Sequence, residues 1–178
     1  MLLNIKNNYP SLSQMDKAAV VADGVDLSKI ERGTLLKLNA DSKWEIAGAA
    51  DAGNATTPGA NVWISLKNGD DLTSAMAGGT PTMGDVTPKI SAISIVPTVE
   101  VETDMFDGDL AVDDLVSVGA DGKFVAHETG ETVIGRVTAA PYTRNCNACV
   151  AVSGFRTGVP AVTVVKVLTM YNPSVATA

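Results

Sequence analysis

The stretch from Asp104 to Ala139 constrains the fold of this chain more than any other. It contains three short apolar runs separated by turn sequences: Leu115–Val118, Phe124–Ala126 and Thr132–Ala139. The first separation holds the pair Asp121 and Gly122, two residue types that tolerate the positive φ required by tight hairpin turns. The pattern therefore predicts a β-meander, and nothing within it is arranged for catalysis.

An earlier segment repeats this pattern. Ala40–Trp44 aligns with Ala120–Phe124, and a short apolar run precedes each turn. A further run follows in each case, Asn61–Leu66 in the first segment and Thr132–Ala139 in the second. Because self-similarity at a fixed spacing is typical of a repeated structural unit, the sequence predicts an internal duplication.

The composition limits how such units can pack. Of 178 residues, 46% are hydrophobic but only 4% are aromatic, so Val, Ile, Leu and Ala have to fill most of the core. About nine strands, at most two short helices and turn signals at short spacing predict an all-β fold. We expect an antiparallel β-sandwich or a small β-barrel with long loops.

The predicted organisation has three parts. Residues 1–23 form an N-terminal arm, residues 24–170 form the β domain with possible halves 24–88 and 89–170, and residues 171–178 form a tail. Within the arm, Ser13–Val20 is predicted as a turn or two of helix with a serine cap. An apolar terminal segment of this kind either tucks under its own domain or reaches a neighbouring subunit.

The remaining predicted strands lie late in the chain. Lys89–Thr103 alternates on both sides of Pro97, which places it at a sheet edge or a bulge, since proline lacks a ladder donor. Ala140–Asn145 is predicted as a connection, Ala148–Ser153 as a strand, and Ala161–Met170 as a long strand that is buried on both faces or bulged.

The net charge and the N-terminal sequence argue against some classes of partner. With 20 acidic and 13 basic residues the formal net charge is −7, which repels phosphate backbones, so we expect no nucleic-acid partner. The first residues lack the charged region and apolar core of a signal peptide, and no apolar run approaches the roughly 20 residues of a membrane span. We expect a protein made in the cytoplasm without a membrane partner.

The two cysteines, Cys146 and Cys149, have CxxC spacing. A zinc site needs four ligands, and His127 is the only histidine that could join them. A redox pair is expected at a helix N-terminus, whereas this one precedes a predicted strand. We interpret both residues as ordinary thiols, with a site completed by another subunit or a redox role as the alternatives.

An acidic cluster precedes the meander. Its spacing does not fit a calcium-binding EF-hand, so we interpret it as a solvated acidic rim, with an interface cation as the alternative. The cluster consists of Asp104, Asp107, Asp109, Asp113 and Asp114.

Other chemistry-bearing residues also favour structural roles. His127 has no nucleophile at motif spacing and is interpreted as a surface or turn residue. Trp44 and Trp63 lie on predicted strands and are expected to be core anchors. The glycines of Ala77–Thr80 lack the lysine of a phosphate-binding loop. We therefore predict no catalytic residue, no metal and no cofactor, and we take the long loop 67–89 as the leading contact surface.

The meander resembles a pattern in the head decoration, or cement, proteins of tailed bacteriophages. Asp114–Ala126 and Glu131–Pro141 carry the resemblance, and Gly33–Ile46 echoes it. The resemblance implies a β-rich, non-enzymatic virion protein, made in the host cytoplasm, that binds the outer capsid surface. It also implies a dimer or trimer that clamps neighbouring major capsid subunits.

On this hypothesis the arm and the 67–89 loop lie on the capsid. The predicted capsid-contact residues are Leu2, Leu3, Ile5, Tyr9, Leu12, Leu72, Met76 and Met83. One alternative is a tail, neck or fibre-base component of the virion. Another is a β-scaffold hydrolase or ligand-binding module that uses the aspartates.

Overall fold

The computed structural model describes residues 3–7, 16–69, 89–95, 99–144 and 162–169. Within these ranges the regular structure consists of strands and three single 3₁₀ turns, at Leu27–Lys29, Ala49–Ala52 and Ala120–Gly122. The strands are β1 (Leu3–Asn7), β2 (Asp16–Val20), β3 (Leu35–Leu38), β4 (Trp44–Ile46), β5 (Val62–Ser65), β6 (Lys89–Ser94), β7 (Val99–Thr103), β8 (Leu115–Val118), β9 (Phe124–Ala126), β10 (Gly135–Arg144) and β11 (Val162–Thr169).

The strands form two antiparallel sheets. The first sheet has the order β2-β6-β5-β3-β4, and the second has the order β1-β7-β11-β10-β8-β9. Each sheet also has one isolated parallel bridge. In the first sheet Val21, just after β2, pairs with Trp44 of β4, and in the second Phe106, a few residues after β7, pairs with Phe124 of β9. No ladder among the described strands closes either sheet into a barrel. The all-β prediction is confirmed, and of its two architectures the structure has the sandwich.

The two sheets repeat one arrangement. Leu38 lies opposite Trp44 in the β3–β4 hairpin, and Val118 lies opposite Phe124 in the β8–β9 hairpin. The sequence alignment that pairs Trp44 with Phe124 also pairs Leu38 with Val118, so the two hairpins have the same register. The order of the first sheet recurs in the second as β7-β11-β10-β8-β9, and β1 is an additional edge strand. The duplication therefore extends beyond the hairpins to the connectivity of both sheets.

The loop after each hairpin is also repeated. Asp51 Oδ2 accepts a hydrogen bond from Gly48 N–H at 2.8 Å, and Glu131 Oε2 accepts one from Glu128 N–H at 3.0 Å. The same alignment that pairs the hairpins pairs these two loops. In both halves a carboxylate therefore accepts a hydrogen bond from the backbone N–H three residues earlier, as the acidic residue of a capping box does.

The second hairpin turn adopts the positive φ angles that its Asp-Gly pair predicts, and the first turn shares one of them. Asp121 and Gly122 have φ angles of 52° and 69°, and Ser42, at the position of Gly122, has a φ of 59°. Gly122 also faces the first half, where a Cβ would lie 2.6 Å from Thr34 Cγ2 and 2.7 Å from the carbonyl oxygen of Leu35. Only glycine combines this φ with so close an approach.

Two apolar clusters hold the fold together. The larger contains residues of both sheets, including Leu35, Ile64, Val116 and Phe124, and so joins the halves into one unit. The smaller lies on the other face of the first sheet around Trp44, because side chains alternate along β3 and Leu36 belongs to it.

Trp44 is the anchor of the smaller cluster. Its side chain is fully buried, and its Nε1–H donates to the carbonyl oxygen of Ile90 at 2.8 Å. Its ring meets that of Trp63 edge to face, with centroids 5.6 Å apart. Trp44 is therefore a core anchor as predicted, and the half-buried Trp63 packs against the same cluster.

The helix predicted over Ser13–Val20 is wrong where the structure describes it. Asp16–Val20 forms β2, which pairs with β6 from Asp16 opposite Ile93 to Val20 opposite Lys89. The pairing buries Ala19 in the smaller cluster. A ladder of this length outweighs the weak local preference for a capped helical turn.

The single strand predicted over Lys89–Thr103 is two strands. β6 pairs within the first sheet and β7 within the second, so the chain passes from one sheet to the other between Ser94 and Val99. Pro97, on which the predicted sheet edge or bulge depends, lies outside the described residues. Apart from β1, the strands up to β6 belong to the first sheet and the strands from β7 onward belong to the second.

The connection predicted over Ala140–Asn145 is also wrong up to Arg144. β10 continues through Pro141 to Arg144 and pairs with β11. Register shifts between Val137 and Tyr142 leave room for the proline inside the ladder. The strand predicted over Ala148–Ser153 and the tail 171–178 lie outside the described residues.

Candidate interaction surface

The structure describes few of the predicted capsid-contact residues. Leu3 and Ile5 lie in β1, whose backbone pairs with β7 of the same chain, with Ile5 opposite Val101. This part of the arm therefore extends the second sheet. Outside the described residues lie Leu2, Tyr9, Leu12, Leu72, Met76, Met83, Cys146 and Cys149.

Several carboxylates of the acidic cluster shape turns. Asp114 Oδ2 accepts from Ala111 N–H at 2.7 Å, and Asp107 Oδ1 accepts from Gly108 N–H at 2.9 Å. Asp113 has a φ of 73° and lies 3.6 Å from the Arg136 guanidinium. Among the described residues, no group of three or more His, Cys, Asp or Glu side chains could hold a metal ion. The contacts of Asp107, Asp113 and Asp114 therefore lie within the loops that these residues form or with a neighbouring strand.

His127 belongs to the turn that follows β9. Its Nε2 lies 3.0 Å from the carbonyl oxygen of Glu131. Because a carbonyl oxygen only accepts, Nε2 carries the proton in this hydrogen bond. The His127 ring thus stabilises the same turn in which the Glu131 carboxylate accepts from Glu128 N–H. This agrees with the interpretation of His127 as a turn residue.

An open depression of about 480 Å³ lies where the hairpin turn of the second half meets the first half. Three carboxylates and one lysine line it, and Lys29 Nζ lies 3.7 Å from Asp121 Oδ1. Hydrogen bonds from the Ser28 hydroxyl and N–H hold the pKa of Asp26 below its usual value. We call it the acidic depression, and its lining residues are Gly24, Val25, Asp26, Lys29, Glu45, Ile46, Ala47, Gly48 and Asp121.

A row of directly paired residues crosses each sheet at the same repeat position. In the first sheet Leu35 pairs with Ile64 and Ile64 with Ile93, and all three belong to the larger core cluster. Their side chains are 0%, 1% and 2% exposed. This row of the first half is therefore part of the core that the halves share.

The matching row of the second sheet faces outward. Leu115 pairs with Arg136 and Arg136 with Leu168, in the same strand order. Leu115 is 41% exposed, and the nearby Val112 is 54% exposed; these are the exposed large hydrophobic residues of the described chain. The Arg136 side chain is 47% exposed. The same repeat position is thus core in one half and surface in the other.

A polar network continues this face toward the end of β10. The buried Glu102 carboxylate accepts from the Tyr142 hydroxyl at 2.8 Å and pairs with the Arg144 guanidinium. Lys166, which lies opposite Glu102 in the ladder, places Nζ 5.9 Å from the centroid of the Tyr142 ring. We call the surface formed by Val112, Leu115, Arg136, Tyr142, Arg144, Lys166 and Leu168 the outer face.

Tyr142 should titrate unusually late. Burial, and then the hydrogen bond to Glu102, raises the pKa of Tyr142 to about 12 from the ordinary tyrosine value of 10.0. Because the neutral phenol is favoured in the fold, its contribution to stability is present below pH 10 and is lost as the pH rises toward 12. The tyrosinate difference spectrum between the wild type and Tyr142→Phe should show this late transition, and a transition near pH 10 would contradict the network.

The basic residues of this face come from the last part of the chain, and two of them pair with carboxylates from earlier parts, Arg136 with Asp113 and Arg144 with Glu102. All 20 acidic residues lie at or before Glu131, and the basic residues that follow are Arg136, Arg144, Arg156 and Lys166. Three of these four basic residues lie on the outer face. Sequence reasoning missed the face, although the absence of acidic residues after Glu131 was a signal that could have indicated it.

Comparison with models of known protein families and with curated proteins finds no match for this chain. In the part of the chain that the structure describes, no helix has the length and apolar character needed to cross a membrane.

Proposed function

We propose that this protein is a virion structural protein that binds the outer surface of a tailed-bacteriophage head. It stabilises the shell by clamping neighbouring major capsid subunits. The observation that carries the proposal is the duplicated scaffold: the segments that resemble cement proteins, Asp114–Ala126 and Gly33–Ile46, contain equivalent hairpins whose sheets share one apolar core. The arm and the 67–89 loop supply the predicted capsid contacts.

The architecture suits a clamp. The larger core cluster joins the two sheets, so that strain on one half is transmitted to the other. A protein that holds two shell subunits has to be stiff between its contacts, and many modest contacts repeated by symmetry add up through effective concentration. The formal charge of −7 supports protein partners over nucleic acid.

Binding to shells tests the proposal. Shells assembled from the major capsid protein of the same virus, without this chain, should melt at a higher temperature in calorimetry once saturated with it. Ligands that bind only the assembled state stabilise it in proportion to the logarithm of their free concentration. The shift should therefore grow with added protein.

Matched variants locate the contact. Leu72→Ser with Met76→Ser should reduce the shift, because both side chains are predicted capsid contacts. Asp41→Asn, in the exposed turn of the β3–β4 hairpin, should leave the shift unchanged. Absence of both binding and a shift with the wild-type chain would refute the proposal.

A further inference from the structure

We propose that Asp107 is a site of spontaneous backbone modification, at which the main-chain nitrogen of Gly108 attacks the Asp107 side chain and converts the residue to isoaspartate. The inference concerns the chemistry of this chain alone and does not depend on the proposed virion role. Its second part is that the fold protects Asn68, which precedes Gly69 in the sequence most prone to the same reaction.

Aspartate or asparagine followed by glycine is the sequence in which this reaction meets the least steric resistance. Glycine has no Cβ, so its nitrogen can approach the side-chain carbonyl carbon of the residue before it. The chain contains four such pairs, which begin at Asp23, Asn68, Asp107 and Asp121. Which of them reacts therefore depends on how the fold holds each pair.

At Asp107 the two reacting groups already lie together in an exposed loop. Gly108 N–H donates to Asp107 Oδ1 at 2.9 Å, which places the nitrogen beside the carboxyl carbon that it attacks. Both residues are exposed. A Cβ built on Gly108 would meet no atom of the described residues within 4 Å, apart from its neighbours in the chain. Contact between the groups raises their effective concentration, and the open surroundings leave room for the ring to close.

The reaction needs no partner other than water. The Gly108 nitrogen forms a bond to Asp107 Cγ and gives up its proton, while the carboxyl group, protonated for this step, loses its hydroxyl as water. The product is a cyclic imide. Hydrolysis at the side-chain carbonyl restores aspartate, and hydrolysis at the main-chain carbonyl leaves isoaspartate. The mass is then unchanged, but the backbone runs through the former side chain and is one carbon longer.

The pair Asn68 and Gly69 is held in the opposite way. Gly69 N–H donates to the carbonyl oxygen of Ile30 at 2.6 Å. Asn68 Oδ1 accepts from Arg32 N–H at 2.9 Å. Gly69 is also buried so closely against Leu27 that a Cβ would clash with the Leu27 carbonyl oxygen. Attack requires both hydrogen bonds to break, so this pair should react only when the region opens locally.

The other two pairs lie between these extremes. Asp23 and Gly24 are exposed, but Asp23 Oδ2 lies 3.0 Å from Lys43 Nζ, which draws the carboxylate toward the lysine. Gly122 is buried where the two halves meet, so the nitrogen that follows Asp121 has little freedom to move. Neither carboxylate makes a hydrogen bond to its following glycine in the described chain, in contrast to the pair at Asp107.

The modification changes how the loop after β7 meets β9. Asp107 N–H donates to the carbonyl oxygen of Phe124 at 2.9 Å, and the preceding Phe106 forms the isolated bridge with Phe124. An extra backbone carbon at Asp107 shifts the chain that leads on to the buried Leu110. The isomer therefore holds this loop less firmly against β9.

Peptide mapping of aged protein tests the inference. The folded protein and the same protein unfolded in guanidinium chloride are incubated at one temperature and pH. Mass spectrometry of proteolytic peptides, with methylation by an isoaspartyl methyltransferase, follows the four pairs. In the unfolded chain Asn68 should react fastest. In the folded protein Asp107 should react several times faster than Asp23 or Asp121, and Asn68 at least about tenfold more slowly than in the unfolded chain, because it needs local opening.

Two variants identify the reacting pair. Asp107→Glu keeps the charge but would have to close a larger ring, so isomerisation at this position should fall to the background level. Asp23→Glu is the matched control and should leave the rate at Asp107 unchanged. Both positions are exposed, so both variants should keep the wild-type melting temperature. Equal rates at the three aspartates of the folded protein, or an Asn68 that reacts as fast in the folded as in the unfolded chain, would overturn the inference.

Discussion

Leu35→Ala is expected to lower the free energy of unfolding by about 2–5 kcal/mol, the usual range for a leucine truncated in a core. Leu115→Ala, at the equivalent repeat position, is expected to change it by less than about 1 kcal/mol. The two substitutions remove the same atoms from the same strand position. They differ because Leu35 is 0% exposed and Leu115 is 41% exposed.

Urea denaturation of the two variants beside the wild type measures this difference directly. The transition midpoint should fall clearly for Leu35→Ala and stay near the wild-type value for Leu115→Ala at an unchanged slope. The comparison is made at a protein concentration low enough to dissociate any oligomer. Equal losses in the two variants would show that the outer face is covered within one chain.

Gly122→Ser is expected to destabilise the fold by at least about 2 kcal/mol, since strain at positive φ and overpacking both contribute. Its added Cβ would lie 2.6 Å from Thr34 Cγ2, against the backbone of Leu35. The reverse substitution at the equivalent position, Ser42→Gly, should change stability by no more than about 1 kcal/mol. Ser42 already has a φ of 59°, so glycine there only relieves strain.

Thermal unfolding followed by circular dichroism suits this pair of variants. For a chain of 178 residues, a loss of about 2 kcal/mol corresponds to a drop of roughly 4–8 °C in melting temperature. Gly122→Ser should show this drop and Ser42→Gly should not. A Gly122→Ser variant as stable as the wild type would mean that the two halves do not meet at this turn.

Local signals in the sequence are sufficient to predict the two hairpins. The pair Asp121-Gly122 indicated the second hairpin turn, and its alignment with Asp41-Ser42 then predicted the first turn and the duplication. Both are confirmed by the φ angles and by the ladder registers. Turn chemistry acts between close neighbours in the chain, so the local sequence contains the information.

Long-range pairing was the part that the sequence did not reveal. Asp16–Val20 looked like a capped helical turn, and only its ladder with β6, a strand far along the chain, makes it a strand. The crossing of Lys89–Thr103 from one sheet to the other and the extension of β10 to Arg144 have the same cause. Each depends on a partner strand that local preference does not specify.

The outer face was missed for a related reason. Leu35 and Leu115 have the same repeat position, and only the packing of the halves buries one and exposes the other. The aspartates from Asp104 to Asp114 are interpreted from sequence as a solvated acidic rim, with an interface cation as the alternative, and in the structure Asp107 and Asp114 accept hydrogen bonds from backbone N–H groups of their own turns. An acidic cluster in sequence is often a series of turn residues.

Electron cryomicroscopy of shells incubated with the protein tests the proposed function most directly. We predict density for the chain at symmetry-equivalent positions over the whole outer surface, each copy touching more than one major capsid subunit. Density confined to one vertex or to the tail, or shells that remain bare at saturating protein, would contradict a clamp on the head.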